Sequence, residues 1–200
     1  MSDFQYAQVH TRDAQEHGAS LNSWEQRYEQ LSTGAFEASL EDLRIGPVQV
    51  FREVANRAVL QDGTPRANTL AVGFIATREP DTHGWCCGHQ LTADRAIALG
   101  SNHEFELVTG ADMVLIGLCV DKQALARRAQ EVLGSTQVHD FHLPTPALLD
   151  PDKVDHDEAR SLIQGAISLG RDQPPLLAKP DQRRRLAETL TDALLACISP

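Results

Sequence analysis

The stretch Val48-Gln-Val-Phe-Arg-Glu-Val-Ala-Asn-Arg-Ala-Val-Leu60 decides how this chain folds. Val48, Val50, Val54, Ala58 and Leu60 share one parity, and Gln49, Glu53 and Arg57 share the other. A rhythm of two marks a strand with one face buried and one face wet. Comparable runs lie on either side: Trp24–Leu31, Ala35–Ile45, Leu70–Thr77, Trp85–Leu91, Ala96–Leu99, Glu104–Val108 and Met113–Val120. Turn clusters such as Ser32-Thr33-Gly34, Gly46-Pro47 and Gln61-Asp62-Gly63-Thr64-Pro65 separate them. So many short strands would leave exposed edges in a flat sheet, so they are expected to close into a barrel or a two-sheet sandwich.

Details along the chain refine this reading. In Ala35–Ile45 the apolar parity switches between Leu40 and Leu43, which predicts a bulge or sharp bend near Glu41-Asp42. Leu70, Val72, Phe74 and Ala76 share a face, with Gly73 allowing close approach on the other. Trp85, Cys87 and His89 are expected to point one way along a single strand. Met113–Val120 is apolar at nearly every position and reads as a strand covered on both faces. Residues 1–23 read as an irregular arm, with one helical turn possible at Asp13–His17.

After Val120 the period lengthens. Asp121 caps a helix carrying Leu125, Ala129, Val132 and Leu133, with Gly134 as its stop. Ser135–Leu149 reads as a connector, and Asp150-Pro151 as a cap followed by proline at the first helical position. Ala159, Ile163, Ala166, Ile167 and Gly170 then form a narrow stripe that ends before Gln173-Pro174-Pro175. A last helix, from about Asp181 to Cys197, has Leu186, Leu190, Ala193, Leu194 and Cys197 on one side. Strands first and helices afterwards make an α+β chain, not a βαβ repeat.

Composition narrows the function. The 200 residues carry a net charge of −10, which repels a phosphate backbone and argues against direct nucleic-acid binding by this segment. No apolar run reaches the roughly 20 residues that cross a bilayer, and Met1–Ser20 has no signal-peptide core. The four cysteines, Cys86, Cys87, Cys119 and Cys197, form no disulfide framework, and reduced thiols in a cytoplasmic protein are expected. Eight histidines invite a metal reading. However, His83 and His89 stand six apart, His103 is followed directly by Glu104, and His139 and His142 fall in the connector. No pair has the strand spacing that aims two imidazoles at one ion, so no metal or other cofactor is expected. No nucleophile elbow or phosphate-cradling loop is present, and Arg183-Arg184-Arg185 reads as a solvated helix face.

Arg52 stands out, because it shares parity with Val48, Val50 and Val54 and should point where they point. A charge facing a barrel interior is costly unless a partner meets it, so Arg52 is expected in or at the rim of a ligand cavity, the alternative being that it snorkels to the barrel mouth or is turned out by a local bulge. Val54 and Asn56 follow it on that face, and Phe74, Trp85 and Phe105 are the aromatic residues best placed to line such a cavity.

Three blocks carry a resemblance: Trp24-Glu-Gln-Arg-Tyr-Glu-Gln-Leu-Ser-Thr-Gly-Ala-Phe-Glu-Ala, Val48-Gln-Val-Phe-Arg-Glu-Val-Ala-Asn-Arg, and Glu104-Phe-Glu-Leu before an apolar strand and helix. From about Ser20 to Cys197 the chain resembles the N-terminal domain of AraC-type transcriptional regulators, with the subgroup of the ethanolamine-operon regulator the most similar. The resemblance implies an arm (1–23), a cupin-like jelly-roll barrel that binds a small effector (24–134), and helices that mediate homodimerisation (135–200). Candidates for the dimer contact are Ile163 and Ile167 on one helix and Leu186, Leu190 and Leu194 on the other, the alternative for either stripe being to pack on its own barrel. The DNA-binding domain of that family, with two helix-turn-helix units, is expected outside this chain, so DNA would be a partner only through it. The expected role is sensing, without catalysis. The alternatives are a cupin-fold enzyme and a stand-alone small-molecule-binding barrel.

Overall fold

The computed structural model describes residues 4–21, 24–76, 83–101, 103–134, 146–149 and 156–198. It has three layers: a five-stranded sheet, a seven-stranded sheet, and helices on the outer face of the larger sheet. The larger sheet runs β1 (Phe4–Thr11), β3 (Ala38–Ile45), β4 (Val48–Ala55), β11 (Met113–Asp121), β6 (Thr69–Ile75), β9 (Ala96–Gly100), β12 (Ala147–Leu149). The smaller runs β2 (Glu25–Gln30), β5 (Val59–Thr64), β10 (Phe105–Thr109), β7 (His83–Cys86), β8 (His89–Thr92). Neighbouring strands pair antiparallel throughout. The fold is the expected α+β arrangement of a jelly-roll-like barrel followed by helices.

Five local expectations change. The arm is not irregular: Phe4–Thr11 is strand β1 and pairs along its whole length with β3. Its polar residues hid it, because an edge strand carries side chains for water on one face. Val48–Leu60 is two strands in two sheets, with the chain turning at Asn56-Arg57. There Asn56 Oδ1 accepts from the Glu37 amide at 2.8 Å and Nδ2 donates to the Ala35 carbonyl at 3.2 Å. β3 has no bulge, since its register with β4 is continuous from Ala38 opposite Ala55 to Ile45 opposite Val48. The parity switch has another cause, because both faces of β3 are covered. Trp85–Leu91 is a hairpin, turning at Cys87-Gly88. The connector Ser135–Leu149 lies outside the described residues up to 145, and its end forms β12 on β9. The cap at Asp150-Pro151 also lies outside the described residues.

The helices follow their sequence signals. Helix α1 (Ala14–Gly18) is capped by Asp13, whose side chain accepts from the Glu16 amide. Helix α2 (Lys122–Leu133) is capped by Asp121, which accepts from the Gln123 and Ala124 amides, and ends at Gly134 with φ 61°. Helices α3 (His156–Asp172), α4 (Pro174–Leu177) and α5 (Pro180–Ile198) follow. The stripe Ala159, Ile163, Ala166, Ile167 and Gly170 of α3 packs with Leu190 and Leu194 of α5 onto Leu43, Val50, Val72 and Leu118 of the larger sheet. Gly170 lets α3 come close: a Cβ there would lie 3.0 Å from the Tyr6 ring and 3.1 Å from Leu43. Val132 breaks the expected α2 stripe and is 55% exposed. Among the described residues no helix is long and apolar enough to cross a membrane.

Candidate functional site

The helical layer inverts the face assignment on β4. Val48 and Val50 point outward, into the core under the helices. Gln49, Phe51, Glu53 and Ala55 point inward, between the two sheets. The nominally wet side of the strand is therefore the barrel interior, and Gln49 and Glu53 are 0% and 4% exposed. A buried carboxylate needs partners, and two other elements supply them, one of them steadied by a third. Tyr28 of β2 donates its hydroxyl to Glu53 Oε2 at 3.0 Å. His17 of α1 places Nε2 3.1 Å from Glu53 Oε1, and its Nδ1 lies 2.9 Å from Thr11 Oγ1 at the end of β1. The His17 ring meets Tyr28 edge-on, with centroids 5.7 Å apart. Gly18 is required beside it, because a Cβ there would fall 2.8 Å from the Tyr28 ring. Burial, and then the Glu53 charge and hydrogen bond, push the Tyr28 phenol well above its usual value.

A second polar group lies further along the same interior face. Gln49 donates to Asp42 Oδ1 at 2.9 Å and Arg44 Nε donates to Asp42 Oδ2 at 3.2 Å. The Trp24 indole N–H reaches Gln49 Oε1 at 3.4 Å. Burial raises the Asp42 carboxyl above its usual range, against the opposing pull of Gln49 and Arg44. Trp24 also meets Phe51 and Phe105 edge-on, with centroids 5.6 and 5.9 Å apart.

Between these groups lies a cavity of about 50 Å³, bordered by Trp24, Tyr28, Phe51, Glu53, Gln61 and Phe105 among others. That is room for a water or two, well below the roughly 300–1,000 Å³ of pockets that hold drug-sized ligands. Buried polar groups and aromatic rings thus face one another across a small space.

The sequence-predicted site residues disperse over the molecule. Phe105 turns its ring into the interior. Phe74 borders the cavity, but its ring faces the helices, against His156 at 5.7 Å and under the Arg160 guanidinium at 5.1 Å. Arg52 lies on the outer face, 3.6 Å from Glu41, and not in a cavity. Glu41 in turn takes Arg171 Nη1 of α3 at 2.9 Å and the Tyr6 hydroxyl at 2.8 Å. Arg52 thus belongs to an ion cluster that ties α3 to the sheet. Val54 is half-buried on that same outer face, Asn56 caps the β4–β5 turn, and Trp85 is 47% exposed. Reasoning from sequence missed His17, Tyr28, Gln49 and Glu53. The signal the sequence offers is the shared parity of Trp24, just before β2, with Gln26 and Tyr28 on it.

The dimer candidates mostly pack on their own barrel, one of the two placements expected for them. Ile163, Ile167, Leu190 and Leu194 are each at most 2% exposed in the single chain, and Leu186 is half-buried beside them. The first four are covered by packing within their own chain, while Leu186 keeps part of its surface open. The wide groove between α2, α5 and the β3–β4 turn, about 490 Å³, is lined by arginines. These are largely neutralised: Arg128 pairs with Asp192 at 2.7 Å, and Arg184 with Asp181 at 3.0 Å. Arg183 instead caps α4, donating to the Leu177 and Ala178 carbonyls at 2.8 and 2.9 Å.

No protein-family model matches the chain. In fold it is similar to the AraC-like transcriptional activator CuxR, with a TM-score of 0.64 and 14% identity, over 97% of this chain and 70% of that one. Quercetin 2,3-dioxygenase from Acinetobacter baumannii aligns over 60% of this chain and 47% of its own, at 12% identity. Its TM-score of 0.35 carries no weight. At these identities the likeness speaks for the fold: a barrel with appended helices, as in an AraC-like activator.

Proposed function

We propose that this chain is the effector-sensing and dimerising module of an AraC-type regulator of transcription, acting in the cytoplasm and without a catalytic step of its own. The observation that carries this reading is the span of the fold likeness: it takes in 97% of the chain, barrel and helices together. The subgroup of the ethanolamine-operon regulator belongs to the same proposal, on the sequence blocks alone. A small molecule enters the barrel interior, where Glu53, Tyr28, His17 and Gln61 supply polar contacts and Trp24, Phe51 and Phe105 supply aromatic walls. A cavity of about 50 Å³ admits no metabolite of ordinary size. The effector therefore selects an opened form, and its apparent affinity falls by the fraction of chains that are open. Opening is transmitted to a DNA-binding domain outside this chain through the helical layer. Two copies meet through outward helix faces such as that of Val132, since the inner stripes are occupied.

A thermal-shift screen of small amines, organic acids and sugars tests the proposal, with Ala71→Phe as the blocked control. Ala71 faces the interior, so a phenyl ring there fills the space an effector needs. A compound that raises the melting temperature of the wild type and not of the variant supports the reading. Compounds that stabilise both equally, or a library that stabilises neither, contradict it.

A further inference from the structure

Neighbours on a strand point to opposite faces, and on that ground the sequence separates the thiols of Cys86 and Cys87. The hairpin brings them together. β7 ends at Cys86 and β8 begins at His89, and Cys87 and Gly88 both take positive φ, 50° and 80°. Two successive left-handed residues make a type I′ turn, whose usual occupants are Asn, Asp and Gly. Cys87 holds such a position at a cost of roughly 1–2 kcal/mol. Its amide donates to the Glu106 carbonyl at 2.8 Å, and its sulfur lies 3.5 Å from the Glu106 amide nitrogen, so β10 fixes it on both sides. The left-handed turn takes its side chain off the strand alternation and sets its Sγ 4.0 Å from that of Cys86. Cys87 is half-buried and Cys86 is buried behind it.

The separation indicates what the pair can hold. A disulfide needs its sulfurs about 2.0 Å apart, half of what is found. With bonds of about 2.3 Å, the usual length from thiolate to a soft centre, a pyramidal trivalent atom with angles of about 100° holds its two sulfurs about 3.5 Å apart, roughly half an ångström closer than the 4.0 Å found here, a movement within reach of the half-buried Cys87 side chain. Among the described residues no group of three His, Cys, Asp or Glu stands together to complete a larger coordination shell. The fitting guest is one whose valences two thiols satisfy. We propose that Cys86 and Cys87 form a chelating site for a monosubstituted trivalent arsenical, R–As(OH)2.

Capture is a condensation, with no change of oxidation state. The Cys87 sulfur displaces one hydroxide from arsenic, which leaves with the thiol proton as water. The Cys86 sulfur then displaces the second in the same way, closing a ring with two As–S bonds in place of two As–O bonds. Cys86 belongs to the interior cluster with Leu91, Leu107 and Leu115, so ring closure draws on the packing of the barrel wall. The site does not depend on whether the barrel takes an effector.

The test is intact-mass analysis of the folded chain with phenylarsine oxide, the anhydride form of such a compound. One phenylarsenic adduct per chain is expected, resistant to excess glutathione and released by a small dithiol. Cys87→Ser and Cys86→Ser each reduce the two-point attachment to one, weakening retention by at least about 100-fold, the low end of the gain from linked binding. Cys119→Ser and Cys197→Ser leave it unchanged. No adduct on the folded wild type, or an adduct kept in Cys87→Ser, overturns the assignment, as does one lost in Cys119→Ser. The Cys87 side chain is partly at the surface, so that variant keeps the test sound even where Cys86→Ser disturbs the core.

Discussion

Removing one oxygen atom, in Tyr28→Phe, examines the buried cluster without changing its shape. The hydroxyl donates to Glu53 Oε2 at 3.0 Å, and the Glu53 side chain is only 5% exposed, so solvent has little access to replace it. A hydrogen bond to a charged group contributes about 1.5–3 kcal/mol, and an orphaned buried oxygen costs a similar amount. The variant should therefore lose about 2–3 kcal/mol at pH 7, which for a chain of this size lowers the melting temperature by roughly 4–12 °C. Urea unfolding of wild type, Tyr28→Phe, Glu53→Gln and the double variant should give a coupling energy of about 1–2 kcal/mol. The pH dependence has a definite sign. The folded phenol titrates well above 10, where the unfolded one titrates. The stabilisation is whole below pH 10 and disappears as pH climbs through the folded value. The gap between wild type and variant should hold from pH 7 to 10 and narrow above that. A variant as stable as wild type, or strict additivity with Glu53→Gln, would refute the hydrogen bond as a source of stability.

Three further outcomes are expected. Asp42→Asn should be more stable than wild type at pH 7, since burial holds the folded carboxyl above its usual 3.8 and so favours the protonated form. That advantage should shrink as pH falls toward 4, and urea unfolding at several pH values would expose an opposite trend. Leu190→Ala should cost about 2–5 kcal/mol through the cavity it opens under α5 while leaving the association state of the folded protein unchanged. Light scattering that shows dissociation would return α5's inner stripe to the interface. Gly117→Ala should lower stability and disturb Trp24 fluorescence, because a Cβ there collides with the Phe51 ring, which abuts Trp24. An unshifted emission spectrum would contradict that packing.

The order of strands, the helix caps at Asp121 and Gly134 and the apolar stripe of α3 were legible because each is written in local chemistry. The direction of β4 was not. Alternation tells that a strand has two unlike faces, but here the apolar face meets helices and the mixed face meets the other sheet. Glu53 looks like a wet residue until His17, 36 positions earlier, and Tyr28, 25 positions earlier, arrive to satisfy it. Nothing within a few residues of Glu53 records that pairing. Arg52 went the other way: it keeps company with valines, yet Glu41 and the α3 layer make its place on the outer face tolerable. The turn at Asn56 escaped notice because Ala58 and Leu60 resume the same parity after it.

Methyl-resolved nuclear magnetic resonance during titration with a metabolite that stabilises the chain tests the central claim most directly. A guest between the sheets should move the signals of Leu91, Leu107 and Leu115 first and most, with Leu190 and Leu194 under the helices following as the barrel opens. Signals that move only on the helical side, or interior methyls that stay fixed at saturation, would contradict a sensing barrel.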